Sequence, residues 1–481
     1  MLVRKPYLSL LLCLSAAISC FAWDIYPADP LVANGRIASS PAKQALAGMP
    51  GAPCQLPTIG PMLDLPTAEE HALCANPKTR QAWANVKVQA AQLGESRAAY
   101  WPTLSASLEA IRDRDRLFVK NNAFFNEDNR LRYRTQTLTL SWLLYDFGAR
   151  SAAVDEANRL LDAANASQDA AIQDVLLTTA RDYYLATAAA ATLASTQQIE
   201  TSAQSSLTAA TERVKGGVAP VTDQLQAQTA YAQAVYNRTK AQGDQATALG
   251  TLALDMGLSP DTPLALAEPA EQAMPSALSS EMVSQLLADA AHSHPSLLAA
   301  RAQLDAAQAK VKQVRAQGLP SLTLTGRMSH NNQPTNPGIG QQDLPATNHD
   351  RFVGVQLDIP LFEGFNRTYQ IRQAEAQAEV QRTAVMDAEQ QVALKVWQSY
   401  QALQTEVENV HNSEVLLDSA KLSFEAAQHR YERGVGNILE LLNAQTAYAN
   451  AQQQRVQALA EWRVGKLQLV GSLGRLTQGR D

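Results

Sequence analysis

The feature that most limits what this chain can fold into is that it contains itself twice. Gly217 to Ala234 reads GVAPVTDQLQAQTAYAQA and Gly434 to Ala451 reads GVGNILELLNAQTAYANA, identical at 10 of 18 positions at an offset of 217. The copies keep step well beyond this stretch. Trp101-Pro102 answers Leu319-Pro320, Asn76-Pro77 answers His294-Pro295, and LLYDFGAR ending at Arg150 answers PLFEGFNR ending at Arg367. From each of those arginines to the next matched arginine, Arg213 or Arg430, is 63 residues. A chain duplicated without long insertions in either copy builds one supersecondary unit twice, so both halves are expected to do the same mechanical job.

The 46% hydrophobic and 18% charged content fits a folded protein rather than a disordered one. Few aromatics and abundant Ala and Gln suit long helices packed through small side chains. Residues 1–22 read as a secretory signal, with Arg4 and Lys5 ahead of an apolar run from Tyr7 to Ile18. The mature chain then carries −6 − 2 = −8 charges, which argues against nucleic acid as a partner. No later window has the ~18 unbroken apolar residues of a membrane helix, leaving a soluble exported protein or one that enters a membrane as strands. In an oxidising compartment Cys54 and Cys74 are expected to pair, the alternative being two buried thiols. Lipidation at Cys20 is disfavoured by its lead-in Ala17-Ile18-Ser19, which lacks the usual leucine.

In chain order, residues 23–62 are rich in Pro, Gly and Ala and read as an extended arm or disordered lead. The first repeat spans 63–258. Thr67 is expected to cap an opening helix behind Pro66, and the helical pattern runs past a break at Asn76-Pro77 to Tyr100. The period then drops to two, predicting a hairpin over 103–146 with strands of about ten residues and a polar loop from Arg112 to Arg134. A long helix follows over 148–215, without proline and ~100 Å long at 1.5 Å per residue, then a return helix over 221–256. A proline-rich linker, 259–278, leads to the second repeat, 279–476. There Ser279-Ser280-Glu281 opens the first helix, the hairpin covers 321–363 with a loop from His330 to Asp350, and strand alternation runs on through Ile359 and Leu361. The second long helix spans 364–433, its return helix 438–473, and 477–481 form a tail. Val392, Val396, Tyr400, Leu403, Val407 and Val410 make a narrow apolar stripe of the coiled-coil kind. At the reversals Gly216-Gly217, and Gly434 with Gly436, permit a left-handed backbone.

About ten residues is the length a tilted strand needs to cross a bilayer, although a soluble hairpin with one wet face alternates equally well. Four strands cannot close a barrel, and an open edge in lipid costs several kcal/mol for each unpaired group. If these hairpins enter a membrane, several chains must pool them.

The duplicated plan, the Pro-marked hairpin entries, LLYDFGAR and PLFEGFNR, and the GV(A/G)-x5-L-x-AQTAYA reversals resemble the TolC-type outer-membrane efflux proteins over about Leu63 to Leu476. The resemblance implies a mixed α and transmembrane β fold in a homotrimer, with a 12-stranded β-barrel in the outer membrane and a long α-helical barrel crossing the periplasm. It implies export of protein or small-molecule substrates by type I secretion or drug efflux, no catalysis and no cofactor. The implied partners are a periplasmic adaptor, an inner-membrane ABC or proton-driven transporter, and outer-membrane lipid. By resemblance, Tyr431 and Asp223 match a hydrogen-bonded latch that holds the gate closed. The family places a further latch arginine where Gly436 stands here. Glu440 falls at an acidic pore ring and Asn443 at the next ring, uncharged in this chain. Gly217, Val218, Ala219, Gly434, Val435 and Gly436 are the implied adaptor contacts.

The bland readings are a wall aromatic for Tyr431, a solvated carboxylate for Glu440 and plain turn chemistry for the tips. The close pair His292-x-His294 reads as exposed histidines at a helix end without metal spacing, and no phosphate loop, nucleophile elbow or HExxH occurs. The competing whole-chain reading is a periplasmic coiled-coil adaptor or scaffold without a pore.

Overall fold

The structure, a computed structural model, describes residues 29–36, 60–267, 281–335 and 344–476. The signal, Cys20, Cys54, most of the linker and the tail lie outside the described residues. Helix α1 (Leu65–Ala75) and α2 (Pro77–Ala98) lead to β1 (Thr103–Leu117) and β2 (Glu127–Tyr145), then α3 (Ala149–Lys215) and α4 (Val221–Asp255). The second copy runs α5 (Glu281–Ser293), α6 (Pro295–Ala316), β3 (Ser321–Asn331), β4 (Asn348–Asp358), α7 (Asn366–Glu432) and α8 (Ile438–Ser472). The equivalents α3 and α7 each have 67 residues and α4 and α8 each have 35. Among the described residues, no helix is long and apolar enough to cross a membrane.

The chain divides into two compact units. One takes residues 1–37, 87–161 and 302–382, the other 38–86, 162–301 and 383–481. The first holds a single antiparallel sheet of order β1-β2-β3-β4. Leu104, Leu108, Leu138, Leu140, Trp142, Leu324, Met328, Val353, Val355 and Leu357 share one face by register and alternation; Thr103, Ser105, Thr137, Thr139, Thr323 and Thr325 share the other. This is the apolar-out, polar-in pattern of a membrane barrel wall.

Two expectations about the sheet are corrected. The loop expected over Arg112–Arg134 is mostly strand: Arg112 pairs with Arg132 and Leu117 with Glu127, so β1 and β2 reach 15 and 19 residues. The charged run alternates, Arg on one face and Asp on the other, and that period of two is a strand's own. The alternation expected through Leu361 stops at Asp358, because Pro360 has no N–H for the ladder.

Each strand-to-helix junction in this unit is clamped by the arginine that ends its motif. Arg150 is pulled in by Asp146 (Nε to Oδ2 3.2 Å) and donates to the carbonyls of Leu143 (2.6 Å) and Leu144 (3.1 Å), its guanidinium 4.6 Å from the Tyr100 ring centroid. Arg367 plays the same part with Glu363 (3.2 Å) and Gln317 (3.4 Å). The chain turns there through residues of positive φ, Phe147-Gly148 and Gly364-Phe365. Part of the N-terminal arm also docks in this unit: Arg97 donates to the carbonyls of Leu31 (2.8 Å) and Val32 (3.0 Å).

The second unit is built on alanine. Ala203 and Ala210 on α3, Ala227, Ala234 and Ala241 on α4, Ala420 and Ala427 on α7, and Ala444, Ala451 and Ala458 on α8 are all buried and recur every seven residues. A seven-residue seam imposes left-handed coiling, and methyl side chains let the helix axes approach to ~8 Å. At the middle of α3 and α7, beside the C-terminal parts of α4 and α8, the seam widens into clusters of larger residues, one of Tyr183, Leu252, Met256 and Leu63, another of Tyr400, Leu403, Val410 and Trp462. The valine stripe of α7 is therefore buried as a seam, with Val407 partly so.

Three local expectations change here. Asp64, not Thr67, caps α1, its Oδ1 accepting from Thr67 N at 3.1 Å. The His292/His294 pair is not jointly exposed: His294 is 8% exposed and caps α6, its Nδ1 accepting from Ser296 N at 3.3 Å, as Asn76 Oδ1 accepts from Lys78 N at 2.9 Å in the first copy. Burial, helped by the Lys395 charge, pushes the His294 pKa down. Cys74 is buried and disulfide-bonded.

Candidate functional site

The two helix reversals lie in the second unit. Each long helix ends in the same hydrogen-bond pattern, Val218 N to Arg213 O and Val435 N to Arg430 O, both at 3.0 Å. The left-handed residue of each is one glycine, Gly217 (φ 72°) and Gly434 (φ 76°). Gly216 and Gly436 are not left-handed. Gly436 is small for want of space: a Cβ there would stand 3.0 Å from Tyr431 N and 3.1 Å from Arg430 Cβ. The return helices begin differently. Asn437 caps α8, its Oδ1 accepting from Glu440 N at 2.7 Å, whereas Pro220 precedes α4 without a side-chain cap.

Tyr431 sits where four helices meet. Its ring packs with Ala210, Ala227, Ile438 and Leu441, and it is 3% exposed. Arg213 from the other reversal lies over this ring, 4.8 Å from its centroid, and its Nη1 donates to Tyr431 O at 2.7 Å. That bond caps the C-terminus of α7, where a cation is favoured by the helix dipole. The expected hydrogen bond from Tyr431 to Asp223 is not made within the chain: the Tyr431 hydroxyl is buried without a hydrogen-bond partner among the described residues. Asp223 acts on it through charge. Burial raises the Tyr431 pKa, the Arg213 cation opposes it, and the Asp223 carboxylate adds a smaller upward push.

Glu440, expected as a pore-ring or solvated carboxylate, has a cation beside it. Arg430 Nε stands 3.3 Å from its Oε1, with both side chains largely open to solvent. Asn443, one turn on, is exposed. At the tips Val218 and Val435 are 70% and 69% exposed, with Val221, Leu225 and Leu439 also uncovered. The two arginines were not legible as site residues, since the duplication marks them only as equivalent positions. Across the β3–β4 ladder the fold also pairs His330 with His349, Nδ1 to Nδ1 3.2 Å, but among the described residues no group of three possible metal ligands exists.

The outer membrane efflux protein model matches residues 69–258 and 286–475, one match in each copy. Protein CyaE of Bordetella pertussis is 33% identical over 423 residues, 87% of this chain and 86% of that protein. Outer membrane protein TolC of Escherichia coli is 24% identical over 312 residues, 64% of this chain and 62% of that protein. Among solved structures, the Campylobacter jejuni CmeC outer membrane channel superposes with a TM-score of 0.73 at 16% identity over 85% of each chain, a likeness of fold. These matches set aside the pore-free adaptor alternative and put the chain in the outer membrane as an export channel. Two matched copies, an apolar-faced sheet and duplicated helix reversals agree: the chain belongs to the outer membrane efflux protein family.

Proposed function

We propose that three copies close their sheets edge to edge into a 12-stranded barrel and set their long helices in a ring as a conduit through the periplasm. The observation that carries this is the open sheet. β1 and β4 are its edges, each paired on one side only within the chain, while its apolar face suits lipid, where an unpaired backbone group costs several kcal/mol. Three sheets of four strands remove every edge. In this reading a periplasmic adaptor docks on the exposed Val218 and Val435 and the small residues beside them, Gly217, Ala219, Gly434 and Gly436. An inner-membrane transporter, ABC-type or proton-driven, supplies substrate and energy. Pairing of Cys54 with Cys74 would tie the N-terminal arm to α1.

The reversals act as the gate. Arg213, bonded across to the end of α7, holds the two helix pairs together around Tyr431, and Asp223 is the acceptor the Tyr431 hydroxyl takes up if the pairs tighten. Glu440 and Asn443 line the constriction, with the Glu440 charge partly neutralised by Arg430, so cation preference is weak while that pair is closed. The test is outer-membrane fractionation followed by electrophoresis of unheated and heated samples. A heat-dissociated trimer in the outer membrane is expected, and a soluble or monomeric species refutes the assembly.

A further inference from the structure

Beyond the apolar band, the first hairpin turns one face over to arginine. Arg112, Arg114 and Arg116 on β1 and Arg130, Arg132 and Arg134 on β2, all six exposed, follow Leu104, Leu108, Leu138 and Leu140 on the same face. Asp113 and Asp115 point the other way by alternation, so the charges are sorted by face. Arg112 stands directly opposite Arg132 and Arg114 opposite Arg130, an arrangement that destabilises a ladder in isolation. The only acid among them is Asp128, which takes Arg114 in a two-pronged pair (3.0 and 2.8 Å) and lies 3.3 Å from Arg116 and 3.7 Å from Arg130. Arg112, Arg132 and Arg134 have no acidic partner among the described residues. The face therefore carries 6 − 1 = 5 positive charges, with two like pairs that folding alone does not explain.

Its height gives the occupant. Ten residues from Gln136 to Tyr145 rise ~3.4 Å each, and at a tilt of ~40° they span ~26 Å, the ~25 Å apolar band of an outer-membrane barrel. Arg134 then stands at the hydrocarbon edge, and Arg132 and Arg130 stand ~5 and ~10 Å above it, in the headgroup layer. We propose that this arginine face binds the phosphate groups of lipid headgroups in the outer leaflet, guanidinium forks taking phosphate oxygens two at a time. The bound phosphates relieve the opposed arginine pairs and fix the height of the barrel. This rests on the reading that the apolar face meets lipid.

The experiment uses the full-length assembled protein in nanodiscs of neutral phosphatidylcholine, with and without bisphosphorylated lipid A, compared with dephosphorylated lipid A and with inorganic phosphate. Native mass spectrometry reads retained lipid, and unheated electrophoresis reads the temperature of dissociation. Retention of the phosphorylated lipid on the order of tenfold above its dephosphorylated form is expected, with a higher dissociation temperature. The Arg112→Gln, Arg114→Gln, Arg130→Gln, Arg132→Gln variant should assemble, since it sheds like charges, and lose both effects. The four corresponding Lys substitutions should restore part of the retention, and Asp113→Asn with Asp115→Asn should leave it unchanged. Equal retention of the two lipids, unaltered retention by the Gln variant, or the same stabilisation from inorganic phosphate alone overturns the proposal. A lipid-borne probe at Leu140 separates the layers: no labelling sinks the membrane reading itself, whereas labelling without phosphate dependence sinks only this one.

Discussion

Asp255 ends α4 beside Asp182 of α3, and its carboxyl pKa is raised to about 7, by burial first and then by its hydrogen bond to and the charge of Asp182, with Lys78 opposing. Moving a carboxyl from its ordinary 3.8 to about 7 corresponds to at most ~4 kcal/mol. The group is only half-buried, and solvent screening reduces this to about 1–2 kcal/mol. The native state holds the proton more tightly than the unfolded chain, so the stabilisation is complete below about pH 4 and is lost as pH rises through about 7. Asp182→Asn removes the like charge and offers an amide donor to Asp255. Because burial remains, the variant should match the parent near pH 5 and recover only part of that about 1–2 kcal/mol near pH 8.

A membrane assembly unfolds irreversibly, so the measurement is local: hydrogen exchange at the amides of Leu252 to Leu258, corrected for intrinsic rates, at the two pH values. The second copy supplies the control, because Ser399 and Ser472, both buried, stand where the first copy has Asp182 and Asp255. Near His294 the sign reverses: its pKa is lowered, so stability there is present above its unfolded value and falls as pH drops. A parent whose opening free energy around Asp255 does not change between pH 5 and 8, or an Asp182→Asn variant whose slope is undiminished, refutes the shared-proton account.

Other perturbations test the gate, the seam and the wall. Arg213→Ala removes the bond to Tyr431 O and the cation over its ring, and should raise single-channel conductance in planar bilayers. Tyr431→Phe removes a hydroxyl without a partner among the described residues and should leave resting conductance unchanged; a rise on that single change would mean the hydroxyl is bonded in the assembled gate. Ala451→Leu, at a fully buried seam position, should cost about 1–3 kcal/mol by overpacking, read as a lower dissociation temperature. Leu140→Arg on the apolar face should cost about 2–4 kcal/mol and cut assembled trimer in the outer membrane, while Thr139→Arg on the polar face should assemble normally.

Legibility followed the range over which each feature is determined. The duplication, the long helices and the Gly217 and Gly434 turns depend on neighbours within a few turns, and the alanine composition pointed to close packing, though the seven-residue alanine seam emerged only from burial. The RDRDR run of β1 reads as a loop on polarity alone; its own period of two is intact, and only the partner strand tells a charged ladder from a charged loop. The capping role of His294 was hidden for a related reason. A polar residue before proline reads as exposed unless the helix packed over it is known, although Asn76 holds the same position in the first copy.

The two helix reversals show why identity between copies predicts architecture better than role. Asp223 and Glu440 occupy equivalent positions, as do Arg213 and Arg430, and resemblance alone assigned the first pair of carboxylates to a latch and a pore ring. The structure gives the asymmetry a cause in residues that differ. Val214 in the first copy is replaced by Tyr431 in the second, so Arg213 has an aromatic ring and a helix end to turn to, 4.8 Å and 2.7 Å away. Arg430 has no such ring and takes Glu440 at 3.3 Å. Asn437, where the first copy has Pro220, caps the helix that carries Glu440 and holds that carboxylate in reach. One tip is thus bound across to the other copy and one closes on itself. In the proposed gate that inequality would let the two tips hold and release separately, whereas two identical tips would hold or release together.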